Sequence, residues 1–518
     1  MISKTNNIML VKSFGCAIVG INAIIVTIEV NSEKGIQFFL VGLPDNSVKE
    51  SQQRILASFS NLGYKFPRKR LTINMAPADI RKEGAAYDLP LAIGIMAVLD
   101  QVDVSKLEQY IIMGELSLDG TLNPIKGALP MAIKAKEQGF KGIIIPKENA
   151  NEAGIVEGIE VIGAEDLSQV VDFLNGQRDI EPERIDMNSL VQEENYSLDF
   201  RDVKGQEAIK RALEIAAAGS HNVLLIGSPG SGKTMLAKRL PSILPPMTLS
   251  EALETTKIHS VAGLMGKNKT LLVTRPFRSP HHSISDAGLC GGGSFPQPGE
   301  ISLAHNGVLF LDEVPEIQRH TLEILRQPME DREITISRAK VSVQFPANFM
   351  LVAAMNPCPC GYYNHPDREC ACKPGEVQKY LNKISGPLMD RIDLHVEVLP
   401  VPYNELADSR RGESSLEIRE RVIKARKIQE ERYKDYPGIH SNAQMTSQLL
   451  QKYCELDIAG RDALSNAMHR LGLSARAFDR ILKVSRTIAD LDGSERIQLG
   501  HLAEAINYRS LDRDNWGC

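Results

Sequence analysis

The spacing of apolar and polar positions changes several times along the chain, and each change predicts an element. Apolar residues alternate over 23–30, the period of a half-buried strand, and a second strand is expected over 37–42. A helical period takes over at 47–62. Strands at 71–75 and 142–145 and a helix from Leu89 onward then complete an α+β pattern. Residues 177–198, QRDIEPERIDMNSLVQEENYSL, are polar, acidic and without period, so they form a connection. Beyond them a helix is expected over 208–218, followed by the apolar run Val223-Leu224-Leu225-Ile226, which has the character of a buried parallel strand. Two more apolar strands end at Asp312 and at Asn356. Over 333–345 Ile334 and Ile336 share a face with Val341, Val343 and Phe345 around Ser337-Arg338-Ala339-Lys340, which predicts a β-hairpin with a basic tip. Helical patterns at 416–433, 446–454, 458–471, 475–491 and 499–508 predict a C-terminal bundle.

The chemistry sits where these strands end. After Ile226 comes Gly227-Ser228-Pro229-Gly230-Ser231-Gly232-Lys233-Thr234, the spacing G-x-x-x-x-G-K-T of a phosphate loop. Its glycines let backbone N–H groups face phosphate oxygens, and the following helix offers its positive end to the same charge. Lys233 is the candidate for the β and γ phosphates of ATP, and Thr234 for a magnesium ion. Asp312 and Glu313, at the end of an apolar strand about 80 residues on, supply the other two needs of hydrolysis. Asp312 is expected to hold magnesium and Glu313 to polarise the attacking water. Asn356 is placed to sense the γ-phosphate. The fold class is therefore α/β, a P-loop ATPase core.

Size and charge narrow the picture further. The 518 residues suffice for two to four domains, and 43% apolar with 24% charged residues is ordinary globular composition. A net charge of -5 predicts no wholesale attraction to nucleic acid, so any DNA contact must come from a local basic surface and the charge leaves the partner open. Arg338 and Lys340 at the hairpin tip are the first candidates. Arg275 and Arg278, in the insertion 273–300 before the glycines at 291–293, which are expected to be flexible, are the second. The alternative for the basic tip is a solvated loop. The apolar runs 17–30 and 89–99 fall short of the roughly 20 residues that span a bilayer, and residues 1–14 lack a signal-peptide pattern, so a cytoplasmic protein is expected. Among eight cysteines, Cys358, Cys360, Cys370 and Cys372 form C-P-C and C-A-C pairs nine residues apart. A structural zinc site, simple reduced cysteines and a redox pair all remain open.

Several stretches carry a resemblance. VGLPDNSVKESQQRI, LTINMAPADIRKEGAAYDLPLAIGIM, GELSLDGTLNPIKGALPMA and IIIPKENANEA resemble the peptidase domain of the Lon family as found at the front of magnesium-chelatase-like proteins. Glu83-Gly84-Ala85-Ala86-Tyr87-Asp88 has no serine where the nucleophile would stand, and Ala128-Leu129 has no lysine, with Lys126 too early, so an inactive peptidase fold is expected. Lys204-Gly205-Gln206 resembles the adenine-side box of AAA+ ATPases. Ser385-Gly386-Pro387-Leu388-Met389-Asp390-Arg391-Ile392-Asp393 and Leu473-Ser474-Ala475-Arg476-Ala477-Phe478 are similar to the finger and second-sensor segments of the helicase and magnesium-chelatase branch. They nominate Arg391 to act in a neighbour's site, with a structural salt bridge to Asp390 or Asp393 as the alternative, and Arg476 to reach the nucleotide. Together with RPFRSPHH and PGEISLAHNG, the chain is similar throughout to the YifB/ComM group of magnesium-chelatase-like AAA+ proteins. The resemblance implies a Lon-like domain at 1–176, a linker at 177–198, an AAA+ core at 199–400 and a helical lid at 401–518. It also implies a hexameric ATPase that drives DNA branch migration, a helicase of recombination or natural transformation, without a membrane partner. A chelatase-type ATPase subunit remodelling a protein partner, and a Lon-like protease, are the alternatives; no D-x-S-x-S motif or long acidic region supports the first.

Overall fold

β1 (Met9–Val19) and β2 (Asn22–Glu33) pair antiparallel from Met9 against Ser32 to Val19 against Asn22, turning at Gly20, whose φ of 64° suits glycine. The apolar run 17–30 is therefore two strands about a turn. This computed structural model describes residues 9–185, 196–266, 269–293, 296–338, 341–406 and 412–509. The chain divides into two compact units, Met1–Glu193 with Leu249–Val273, and Glu194–Thr248 with Thr274–Cys518.

In the first unit, β3 (Phe38–Val41), β4 (Arg70–Ala76), β5 (Tyr110–Ile112), β8 (Gly142–Pro146) and β9 (Glu160–Ala164) join the hairpin in a sheet ordered β3-β4-β2-β1-β5-β8-β9. β6 (Glu115–Leu116) and β7 (Leu122–Asn123) pair separately. The helix Asp88–Val98 is buried at every position, which is why its sequence is apolar all round. It lies so close to the sheet that a Cβ on Gly94 would sit 2.8 Å from Val30 Cγ2. At its start Asp88 is buried and accepts Arg54 Nε at 2.6 Å and Nη2 at 2.9 Å. Ala85–Tyr87 form a single 3₁₀ turn, and the Leu129 N–H donates to Glu152 Oε1 at 2.9 Å.

The helix Leu249–Ala262 belongs to this unit although it lies within the 199–400 stretch. It packs on the helix Ala128–Glu137, where Ser260 Oγ donates to Glu152 Oε1 and the Gly127 N–H to Ser260 O at 3.2 Å. Burial pushes the Glu152 carboxyl up, against the Ser260 and Leu129 hydrogen bonds.

The second unit is built on β10 (Val223–Gly227), β11 (Phe277–Arg278), β14 (Val308–Leu311), β17 (Met350–Met355) and β18 (Leu394–Val398), ordered β11-β14-β17-β10-β18 and parallel throughout. The glycines at 291–293 are not a free flexible run. β12 (Gly291–Gly292) pairs with β13 (Gln297–Pro298), and Gly291 sits at φ 97° where a Cβ would meet Gln297 O at 2.1 Å. β15 (Glu333–Arg338) and β16 (Val341–Pro346) form the expected hairpin, with Ile334, Ile336, Val343 and Phe345 buried on one face. The helices Ser415–Tyr433, Ser447–Tyr453, Ile458–Leu471, Ala475–Leu491 and Leu499–Asn507 follow the predicted bounds within a residue or two.

One buried carboxylate ties bundle to sheet. Asp393 accepts the Asn222 N–H at 2.9 Å and lies 3.2 Å from Arg480 and 3.6 Å from His221. Burial would raise it, but Arg480, His221 and that N–H prevail and hold it well below the usual carboxylate range. A depressed carboxylate stabilises the fold fully above its unfolded value of about 3.9, and the contribution fades as pH falls from there toward the folded value. Asp393→Asn should therefore cost about 3–5 kcal/mol in denaturant unfolding at pH 7, and the gap to wild type should narrow below about pH 4.

Candidate active site

Parallel order brings the carboxyl ends of β14, β17 and β10 side by side, the edge where open α/β sheets bind ligands. β10 runs into the phosphate loop, β14 into Asp312 and Glu313, β17 into Asn356. Gly230 and Gly232 take φ of 80° and 94°, and Lys233 opens the helix Lys233–Arg239. Gly227 is irreplaceable for a second reason: a Cβ there would meet Val398 O at 2.3 Å.

Lys233 Nζ donates to Gly227 O at 2.7 Å, Ser228 O at 3.0 Å and Asn356 Oδ1 at 3.3 Å, so the loop's own carbonyls hold it in place. Burial pulls this ammonium below its ordinary value, against the carboxylates of Asp312 and Glu313. Thr234 Oγ1 donates to Asp312 Oδ2 at 2.7 Å, which puts a hydroxyl and a carboxylate together as magnesium requires. Gln206, at φ 59°, donates to Ser231 O at 2.9 Å beside Gly205 at φ 58°, fastening the upstream turn to the loop. Ser231 Oγ and Gln206 Oε1 are buried without a hydrogen-bond partner, polar atoms of the kind a nucleotide would satisfy.

Glu313 is held at φ 50°, a left-handed backbone that a glutamate adopts only when its surroundings impose it. His282 Nδ1 lies 3.0 Å from its Oε2. In the sequence His282 lies within the insertion 273–300, a DNA candidate through Arg275 and Arg278. No sequence pattern marks it, because it lies just past β11, a two-residue strand whose pairing with β14 only the fold shows. The same register gives other work to the arginines expected at DNA. Arg275 donates to Pro245 O, Asn306 O and Pro246 O, and Arg278 grips Glu300 through two bonds of 2.6 and 2.7 Å. Both anchor the segment that carries His282. The Arg338 side chain and Lys340 lie outside the described residues.

Arg391 is buried, donating to Pro387 O at 2.6 Å and pairing with Glu330 at 2.5 Å. Asp390 and Asp393, its partners in the salt-bridge alternative, take Arg476 at 3.3 Å and Arg480 at 3.2 Å instead. Arg476 thus meets a carboxylate one residue from Arg391.

The four cysteines converge, their sulfurs all within 4.8 Å of one another. Cys358, Cys360 and Cys370 stand 3.3, 3.5 and 3.7 Å apart, against about 3.8 Å for the edge of a tetrahedron of thiolates around zinc, so the donor set fits that ion. Burial pushes the Cys360 thiol up, but N–H groups of Tyr362 and Ala371 and the thiols of Cys358 and Cys372 bring it down to about 6.

A phosphate loop, paired carboxylates and a polar sensor on neighbouring parallel strands define a P-loop ATPase, and comparison with known proteins narrows the class. The family model for magnesium chelatase, subunit ChlI, matches residues 199–406, that for subunit ChlI of Mg-chelatase residues 28–149, and that for the ChlI C-terminal part residues 412–509. Competence protein ComM of Haemophilus influenzae is 47% identical over 506 residues, 96% of this chain and 97% of that protein. Escherichia coli YifB, described as uncharacterized, is 45% identical over 500 residues, 96% of each. Lon protease 2 of Bacillus subtilis is 29% identical over 143 residues, 27% of this chain and 25% of that protein. The chain belongs to the YifB/ComM family of magnesium-chelatase-like AAA+ ATPases.

Proposed function

We propose that this ATPase is a ring motor acting on DNA, a branch-migration helicase or translocase of recombination or natural transformation. The observation that carries the ATPase part is the convergence of Lys233, Thr234, Asp312, Glu313 and Asn356 on three adjacent strand ends. The DNA part rests on near-full-length similarity to a protein named for competence. Thr234 and Asp312 hold magnesium, Glu313 activates water, and His282 keeps the Glu313 carboxylate in position. Asn356 senses the γ-phosphate, and Gly205 and Gln206 border the base. Arg391 completes a neighbour's site in a hexamer once it leaves Glu330, and Arg476 reaches the same nucleotide from the bundle. DNA phosphates meet the hairpin tip at Arg338 and Lys340 rather than Arg275 and Arg278, whose guanidiniums are committed elsewhere. The N-terminal domain, 1–176, serves assembly or a partner and not proteolysis. Zinc on Cys358, Cys360, Cys370 and Cys372 is structural, since four protein ligands leave no open position. The chelatase family models favour a second reading, an ATPase subunit remodelling a protein partner. No helix among the described residues is long and apolar enough to cross a membrane.

ATP turnover measured with single-stranded, duplex and branched DNA decides between these readings: stimulation by branched DNA supports the motor, and indifference to every DNA removes it. Lys233→Ala should weaken ATP binding itself, whereas Glu313→Gln should retain ATP and lose at least about 100-fold in turnover. His282→Ala should lower kcat with KM unchanged, and His282→Asn, whose amide nitrogen replaces Nδ1, should restore part of it. Arg338→Ala with Lys340→Ala should reduce DNA affinity and flatten its salt dependence by about two phosphate contacts per chain, as read by titration at several salt concentrations.

A further inference from the structure

The cysteine cluster adjoins the nucleotide site through the same few residues that build it. Asn356, which accepts from Lys233 at 3.3 Å, follows the last residue of β17 and stands two positions before Cys358. Cys358 is fully buried, and its sulfur accepts the Tyr363 N–H at 3.3 Å, closing the first turn after the strand. Between them Gly361, at φ 85°, lies against the phosphate loop so closely that a Cβ would stand 2.6 Å from Pro229 Cδ and 2.9 Å from its Cγ. A cleft of the second unit is lined by Ile226, Gly227 and Ser228 together with Gly361, Tyr363 and His365. The segment from Cys358 to Cys372 has no helix or strand, and it buries few apolar side chains to hold this position unaided.

We propose that a zinc ion on Cys358, Cys360, Cys370 and Cys372 fastens this knuckle against the phosphate loop, so that nucleotide affinity depends on metal occupancy. The inference rests on the reading of the loop as an ATP site and extends it: the metal is a positioning device for Pro229 and Asn356. Four thiolates suit a soft tetrahedral ion, and the free energy of metal binding replaces the missing core of the knuckle. Oxidation of two of the thiolates to a disulfide, with two electrons passing to a low-molecular-weight disulfide that takes two protons from solvent and leaves as two thiols, would displace the ion and loosen the loop by the same route.

The test uses the full chain. Elemental analysis by mass spectrometry should find one zinc per chain, and Cys370→Ser with Cys372→Ser should abolish it. Titration with a fluorescent ATP analogue should then show binding about ten-fold weaker in the zinc-free variant. In the wild-type protein a chelator should produce the same loss and added zinc should reverse it. Gly361→Ala, which retains all four sulfurs but sets a Cβ against Pro229, should keep its zinc and still lose ATP affinity. This guards against a variant that merely unfolds, as thermal unfolding of each would reveal. Zinc-free protein that binds ATP as tightly as the wild type overturns the proposal, as does wild-type protein carrying no metal or an iron–sulfur cluster. Wild-type protein that binds no ATP, with Lys233→Ala indistinguishable from it, would instead overturn the reading of the nucleotide site.

Discussion

Three neighbouring parallel strands hold the proposed nucleotide site together, because the phosphate loop and the carboxylates and asparagine proposed as metal ligand, base and sensor work only when their strand ends coincide. β17 lies between β10 and β14, with Leu224 paired to Ala353 and Leu311 to the same Ala353. That register sets Thr234 against Asp312 and Lys233 against Asn356. A slip of one residue in β17 would turn its side chains to the opposite face. The buried apolar faces of all three strands prevent the slip, since Val308, Phe310, Val352, Ala354, Val223 and Leu225 share one core.

The outer parts of the second unit reinforce this arrangement from both edges. β18 adds Asp393, whose bonds to Asn222 and Arg480 link the start of β10 to the helix Ala475–Leu491. β11 adds the segment anchored by Arg275 and Arg278, which delivers His282 to Glu313. The cysteine knuckle presses on the loop from a third side through Gly361 and Pro229. Each contact joins residues distant in sequence, so the site is a product of the sheet and not of the phosphate loop alone.

Arginine shows why residue type and spacing leave function open. Arg275, Arg278, Arg391 and Arg476 all stood out as cations suited to phosphates. The structure gives all four carbonyl or carboxylate partners in their own chain, and Arg391 is buried with Glu330. A guanidinium offers five donors in a rigid fork, which serves loop anchoring and anion binding equally well. Only its neighbours decide between them.

The amino-acid sequence alone determined the strand leading to Gly227, the loop to Thr234, the carboxylates after β14, the hairpin faces and the bounds of the C-terminal helices. These follow from local period and from backbone chemistry encoded within a few residues. It did not determine that Leu249–Ala262 would leave the ATPase stretch for the first unit, that Gly291 would pair with Pro298, or that His282 would meet Glu313. Nor did it determine that the four sulfurs would converge beside Pro229. Those outcomes depend on which surfaces become neighbours when the sheet closes, and no local period records them.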